Sequence, residues 1–520
     1  MRHIIFFLFL CIAPLAAQSW SPPILLPDSV PTSENVVVAI NPSGQAVACW
    51  VQNGVINAAV LNGTTWTATA PIPFVGTMGS VAVVIDNSGN ATATAVVSMV
   101  TNPPIQAATL SSGSSTWTLI NNLPNSGGLP VMGVDGSGNV FAVWLGTIMT
   151  TSNIFASILP SNSSTWGSST TLDSATSPQF LELGENIAVN QAGDAVVSWR
   201  FAAGFLPASN RQVRVATFNA TSQMWTTNTS LEAQSPGIRV GPFVAIDSAG
   251  DAVAVWSNDT AGMSFSSNFT FNSQTWSAST NAPGVGPVSM FPNGDAWMVY
   301  VDMSGNLNVA FLPLGGSTWT NQQQLDDSAD NPFFPQIVLN SSNGLIVWDF
   351  SDPITGNTVL TSAFLPTGSS TWTVLSPTIT SNTNDSFGLG NYLAFSNNGT
   401  GVVVFIDDTM GSLAMASIFS ISSPSPVSST AQGEQIRNIF LTQTEYVNVI
   451  TWSAPSGISA VKYNIFRDAA LTQLAGTVLA PSLTFVDHNR RKKTTYTYFI
   501  VAVDASGNST LIATVTVNPV

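Results

Sequence analysis

The chain has 520 residues, 44% of them hydrophobic and 8% charged, and a formal net charge of −15. That length exceeds what one hydrophobic core organises, so repeats or several domains are expected. Soluble domains carry roughly 25% charged residues and long helices wet their outer faces with Glu, Lys and Arg, so a chain with three Lys is not a helical protein, and its acidity excludes nucleic acid, whose binding needs cations against phosphate.

The N-terminus reads as a secretory signal over residues 1–17. Arg2 and His3 precede the apolar stretch Ile4 to Leu15, and Ala16-Ala17 supplies small residues before a cut ahead of Gln18. The apolar run is short for a membrane span, and no later segment supplies one. The chain is therefore expected to be exported, to the extracellular space, the cell surface or the periplasm. Cys11 lies within the signal, which leaves Cys49 as a lone thiol in an apolar, strand-like run, expected buried and inert.

From Gln18 onward a Ser/Thr-rich approach to Trp recurs at Trp20, Trp66, Trp117, Trp166, Trp225, Trp276, Trp319 and Trp372, with spacings of 46, 51, 49, 59, 51, 43 and 53 residues. A second element interleaves with it: an apolar run, a Gly turn, then a small-residue strand ending in an aromatic. Ile40 to Gly44 leads to Trp50, Val134 to Gly138 to Trp144, Val189 to Gly193 to Trp199, and Ile246 to Gly250 to Trp256. Each unit thus holds four short strands. Fifty residues bury too little surface to fold alone, whereas a ring of such sheets shares its apolar faces and protects its edges. The expected fold is all-β: a β-propeller of about eight blades over 18–420, with seven blades plus a divergent element as the alternative. The blade phase stays open. If a blade starts at the strand entering the Gly turn, the Trp20 strand closes the ring against the last unit. The recurring Trp residues are assigned to packing between blades.

Residues 18–420 resemble, in general plan, the repetitive propellers of secreted bacterial proteins. The Gly turn leading to Trp resembles the Asp-box hairpin of sialidase-like propellers, Ser-x-Asp-x-Gly-x-Thr-Trp, although Trp here stands six residues after the Gly rather than two or three. Residues 421–429 read as a Pro/Ser linker. Residues 430–520 resemble a fibronectin type III domain. Val449 to Pro455 matches its second strand with the core Trp452, Val461 to Arg467 its third, and Tyr496 to Asp504 its sixth, with Tyr496 as the tyrosine corner.

Residues 18–420 contain 22 Asp or Glu, four Arg, and no Lys or His. A Ser-His-Asp triad and a His-ligated zinc are therefore excluded from that region, and no cofactor is expected. Paired carboxylates at glycosidase spacing stay open. Arg200, Arg211, Arg214 and Arg239 fall within 40 residues, and three of them flank the longest insertion. Arginine forks suit capture of a carboxylate-bearing ligand; the plainer reading pairs them with Glu182, Glu185 or Asp194. The acidic Gly turns, including Asp86 to Asn90, Asp135 to Asn139, Asp247 to Asp251, Asp302 to Asn306 and Asp504 to Asn508, resemble fragments of calcium loops, but turn geometry alone accounts for Asp, Asn and Gly there. His488 reads as a turn residue. The basic run Arg490-Arg491-Lys492-Lys493 is a solvated turn with the capacity to meet an acidic partner. The reading that follows is an exported, non-catalytic binding or adhesion scaffold for a protein or glycan. A sialidase-like propeller hydrolase and a structural envelope or matrix protein are the alternatives.

Overall fold

The computed structural model describes residues 17–97, 100, 102–148, 150–204, 210–237, 239–258, 262–352, 356–380, 385–386, 392–408, 411–422, 430–440, 443–454, 460–468, 473–504 and 509–520. Residues 1–16 of the proposed signal, Cys11 among them, and most of the linker lie outside them. The described elements are strands, and they assemble into small antiparallel sheets. Two compact units result: Trp20–Ser420 forms one, and Ile421–Val520 belongs to the other.

The larger unit is all-β and propeller-like, with eight sheets in chain order. The first is built from Ser33–Ile40, Ala46–Gln52, Val55–Asn62 and Thr65–Ala68. Its first two strands flank the Gly turn, and the strand bearing Trp66 comes last. Later sheets repeat this order, so each sheet begins at the strand entering the Gly turn. The eighth sheet, around Thr400–Asp407 and Leu413–Ser422, is completed from the far end of the sequence. Ile24–Leu25 pairs with it at Ile24↔Ala416 and Leu25↔Met415, Ser21 N donates to Ile418 O at 2.7 Å, and the Trp20 ring lies 5.3 Å from that of Phe419.

Apolar residues from adjacent sheets merge into shared cores. Val47 and Cys49 pack with Val81, Val83 and Ala93; Val253 and Val255 pack with Met298 and Tyr300. The second strands supply the alanines that let sheets approach: Ala46, Ala48, Ala91, Ala93, Ala142 and Ala254 are fully enclosed. The recurring Trp residues serve these seams. Five are buried and Trp20, Trp225 and Trp276 half-buried, and several cross to the preceding sheet. Trp117 Nε1 donates to Thr69 Oγ1 at 3.0 Å, Trp319 Nε1 to Ser266 Oγ at 3.0 Å, and Trp20 Nε1 to Ser362 Oγ at 2.8 Å. In these three the apolar body fills the seam while its one donor is satisfied; Nε1 of Trp66, Trp166 and Trp372 is buried without a hydrogen-bond partner.

In the smaller unit, Ala431–Ile439, Thr444–Trp452 and Thr484–Asp487 form a three-stranded sheet. Ala460–Phe466, Leu474–Leu479, Tyr496–Asp504 and Ser509–Val517 form a four-stranded one. Ile450, Trp452, Tyr463, Ile465, Tyr498 and Ile500 fill the space between them.

Candidate functional site

Four-stranded antiparallel order gives each sheet of the larger unit two unlike ends. One end carries the Gly turns. The other carries the connections between second and third strands and the links from each sheet to the next.

At the Gly-turn end the Asp and Asn side chains that open and close the hairpins are engaged within the fold. Asp86 Oδ1 accepts the backbone N–H groups of Ser88 (2.9 Å) and Asn90 (2.8 Å), and Asp135 and Asp247 repeat this pattern. The residue closing the turn reaches to the next hairpin: Asn90 Oδ1 accepts Ser112 N at 3.0 Å, and Asp251 Oδ1 accepts Phe271 N at 2.7 Å. These are Asx turns, and no cluster of metal-ligating groups occurs among the described residues. Residues 505–508 lie outside them.

Successive sheets are also tied together near this end. Asn41 Nδ2 donates to Asp86 O (3.3 Å), Asn87 Nδ2 to Gly136 O (3.1 Å), and Gly136 N to Gln191 O (3.1 Å). Asn190 Nδ2 donates to Asp247 O (3.1 Å), Ser248 Oγ to Pro292 O (2.5 Å), and Leu339 N to Ser289 Oγ (3.1 Å). Asn340 Nδ2 donates to Ser396 O (2.8 Å), and Asn398 Nδ2 returns to Ser43 O (2.6 Å) in the first sheet.

The arginines belong to the fourth and fifth sheets and divide between two seams. Arg200 stands opposite Glu182 and Val213, and Arg214 opposite Trp199, so the two side chains leave opposite faces of one sheet. Arg214 turns toward the third sheet, where Nη1 lies 2.8 Å from Asp173 Oδ2 and Cζ lies 4.0 Å from the Phe201 centroid. The same carboxylate oxygen accepts Trp199 Nε1 at 2.7 Å. Arg200 turns toward the fifth sheet. Its Nε forms an ion pair with Glu182 Oε2 at 3.1 Å, and its Nη1 donates to Arg239 O at 2.8 Å. Arg239 is fully enclosed. Its Nε meets Glu232 Oε1 at 2.6 Å and its Nη2 donates to Ser235 Oγ at 2.5 Å. Arg211 is half-buried, in register with Ala202 and Ser235.

Of the partners considered from sequence, Glu182 is used. Asp194 instead closes its own turn, where Oδ2 accepts Asn190 Nδ2 at 3.2 Å, and reaches to the next hairpin, where Oδ1 accepts Ala220 N at 2.9 Å, and the Glu185 side chain lies outside the described residues. Asp173 and Glu232 carry no signal in the sequence, being 41 and seven residues from the arginines they meet.

The strand starting at Arg239 pairs with Asn258, and Asn258 borders a cleft of about 480 Å³ between the fifth and sixth sheets. The cleft opens at the end opposite the Gly turns that join first and second strands; the Asp302–Asn306 turn singled out in the sequence joins the second and third strands of the sixth sheet and lies at this end. Asn258, Ser264, Asn281 and Asp302 supply its polar groups, and Met263 and Met303 its apolar ones. The Asp302 carboxylate accepts the backbone N–H groups of Ser304 (2.8 Å) and Asn306 (3.0 Å) and Asn308 Nδ2 (3.0 Å). Its slight burial disfavours ionisation, but the donors of Asn306, Ser304 and Asn308 outweigh that and hold the carboxyl below its ordinary value. Sequence reading missed this cleft because its walls come from three short segments separated in the chain, with Asp302 as their one charged lining residue among those described.

In the smaller unit His488 is exposed, with Nδ1 2.9 Å from Glu445 Oε1. Lys492 and Lys493 are exposed, and Arg490 lies back against Asp487 (3.5 Å) and the Tyr496 ring. Among the described residues no helix is long and apolar enough to cross a membrane.

No family model matches the chain, and no curated protein sequence matches it. Solved structures are similar at low identity. The polysaccharide lyase Uly1 covers 62% of this chain and 88% of its own at 8% identity, with a TM-score of 0.42. A PL25 ulvan lyase bound to a GlcA(1-4)Rha3S saccharide covers 78% and 94% at 11% identity, with a TM-score of 0.41. The GH93 α-L-arabinofuranosidase of Fusarium graminearum, in complex with arabinobiose, covers 67% and 98% at 10% identity, with a TM-score of 0.37.

Proposed function

We propose that the chain is an exported, non-catalytic binding scaffold. In this reading residues 18–420 are an eight-bladed β-propeller, and 421–429 links it to a fibronectin type III-like sandwich over 430–520. The eight sheets and the hydrogen bond from Asn398 back to Ser43 support the blade count. The three- and four-stranded pairing supports the sandwich, as does Tyr496, whose hydroxyl accepts Arg491 N at 3.0 Å in the manner of a tyrosine corner.

The observation that carries the binding role is the contrast between the two ends. One end spends its Asp and Asn side chains on holding turns and joining sheets. The other presents the long connections, the Arg200–Glu182 pair, and a polar cleft of about 480 Å³ between the fifth and sixth sheets. A glycan or protein ligand is assigned to that second end. An anionic group reaching Arg200, Arg214 or Arg239 has to compete with Glu182, Asp173 and Glu232 already seated there.

Incubating the purified chain on glycan and protein arrays tests this, with Arg211→Ala alongside. The reading predicts reversible capture of a ligand that is recovered intact. Depolymerisation of a captured polysaccharide, or capture of nothing, contradicts it.

A further inference from the structure

We infer that the cleft between the fifth and sixth sheets is a binding site for a neutral saccharide. The inference rests on the scaffold reading above and assigns it a site and a ligand class.

The first argument is size. About 480 Å³ falls within the roughly 300–1,000 Å³ typical of small-ligand sites.

The second is the chemistry of the walls. Asn281 and Ser264 offer an amide and a hydroxyl that both donate and accept, as saccharide hydroxyls do. Asp302 adds an acceptor whose position is held by Ser304, Asn306 and Asn308. Met263 is 43% exposed and Met303 86% exposed. Thioether side chains left in water beside polar groups suit the apolar C–H face of a pyranose, and their flexibility adapts them to it.

The third is charge. Among the described residues no Lys, Arg or His lines the cleft, and residues 18–420 hold 22 acidic side chains against four arginines. That field repels uronates and sulfated sugars, and a wall without a cation gives them no partner.

The fourth is rigidity. The link crossing the cleft floor lies so close to the sixth sheet that a Cβ on Gly284 would collide with the Tyr300 ring, and one on Gly286 with the Val299 carbonyl. A link fixed in this way keeps the neighbouring Asn281 at a set position, as the hydrogen bonds of Ser304, Asn306 and Asn308 do for Asp302, which lowers the ordering cost of binding.

The test uses the purified full-length protein and immobilised tetrasaccharides of glucose, mannose, galactose and xylose. The same backbones bearing uronate or sulfate and a set of apolar peptides serve as competing probes. Asn281→Ala and Met303→Ala are measured in parallel; both residues are exposed, so melting temperatures are expected to match the parent. The inference predicts binding to at least one neutral tetrasaccharide, weakened about five- to tenfold by Asn281→Ala and weakened also by Met303→Ala. Preference for the charged saccharides, binding of peptides alone, or neutral binding that neither substitution alters overturns the inference and leaves the scaffold reading standing. Binding of no probe on this or the wider arrays overturns both.

Discussion

Replacing Arg239 by Met should be among the most damaging single changes to the larger unit. Arg239 has no exposed surface, and its fork joins Glu232 at 2.6 Å and Ser235 at 2.5 Å. Glu232 keeps 13% side-chain exposure and also accepts Val213 N at 3.3 Å. Arg239→Met therefore strands a nearly buried carboxylate, which costs about 3–5 kcal/mol. Arg239→Met/Glu232→Gln removes the stranded charge but keeps an acceptor for Val213, so most of the loss should be recovered. Unfolding entropy is about 2.1 cal/mol/K per residue, hence roughly 0.8 kcal/mol/K for about 400 residues melting as one unit. The single substitution should lower the melting temperature by about 4–6 °C in scanning calorimetry, and the double by less than half of that. A single-variant shift under about 1 °C, or a double variant worse than the single, would refute the reasoning.

Further outcomes follow from other contacts. The Cys49 thiol is fully buried and desolvation pushes its pKa far up, so an aromatic disulfide reagent should leave it unmodified until denaturant is added; prompt labelling of the native protein contradicts this. Gly250 adopts φ +88° and a Cβ there would meet the Phe271 ring, so Gly250→Ala should cost about 2–4 kcal/mol from backbone strain plus overpacking, read as a lowered urea midpoint. Trp117→Phe keeps most of the buried ring and loses the bond to Thr69 Oγ1, for about 1 kcal/mol, whereas Trp117→Ala should cost about 3–5 kcal/mol. In the smaller unit, burial alone would raise the Asp487 carboxyl, but the Arg467 and Tyr498 hydrogen bonds and the charges of Arg467 and Arg490 outweigh it and hold it below its ordinary value. A depressed carboxyl stabilises above its unfolded pKa, about 3.9, and loses that contribution as pH falls through the folded value. Asp487→Asn should therefore lower stability at pH 6–7 and flatten its decline below about pH 4; an unchanged acid limb counts against the pairing.

The repeat was legible in the sequence because each unit needs the same outer strand, and Trp20 through Trp372 mark that strand every fifty residues or so. The acidic turns were legible for a similar reason: Asp86, Asp135 and Asp247 make the same backbone hydrogen bonds in each hairpin. Phase was not legible, since a periodic sequence reads alike from any starting strand, and only pairing shows that Trp66 ends a sheet. The arginines stood out by composition, and Glu182 could be named as a partner because it lies one strand away. Asp173 could not: it belongs to another sheet, and the alternation that sends Arg214 toward it becomes meaningful only once register is known. The cleft itself was not legible: Asp302 was marked only as a turn residue, and Asn258 and Asn281 are ordinary residues until two sheets bring them to one place.

A cross-link at the seam tests the closed ring most directly. Ile24 and Ala416 are paired across the strands that join the two ends of the larger unit, and the native thiol Cys49 is buried. Cysteines placed at 24 and 416 should oxidise to an intramolecular disulfide in dilute, folded protein, giving a monomer with a raised melting temperature. Thiols that stay reduced, or that join only between molecules, contradict a ring closed by its own first strand.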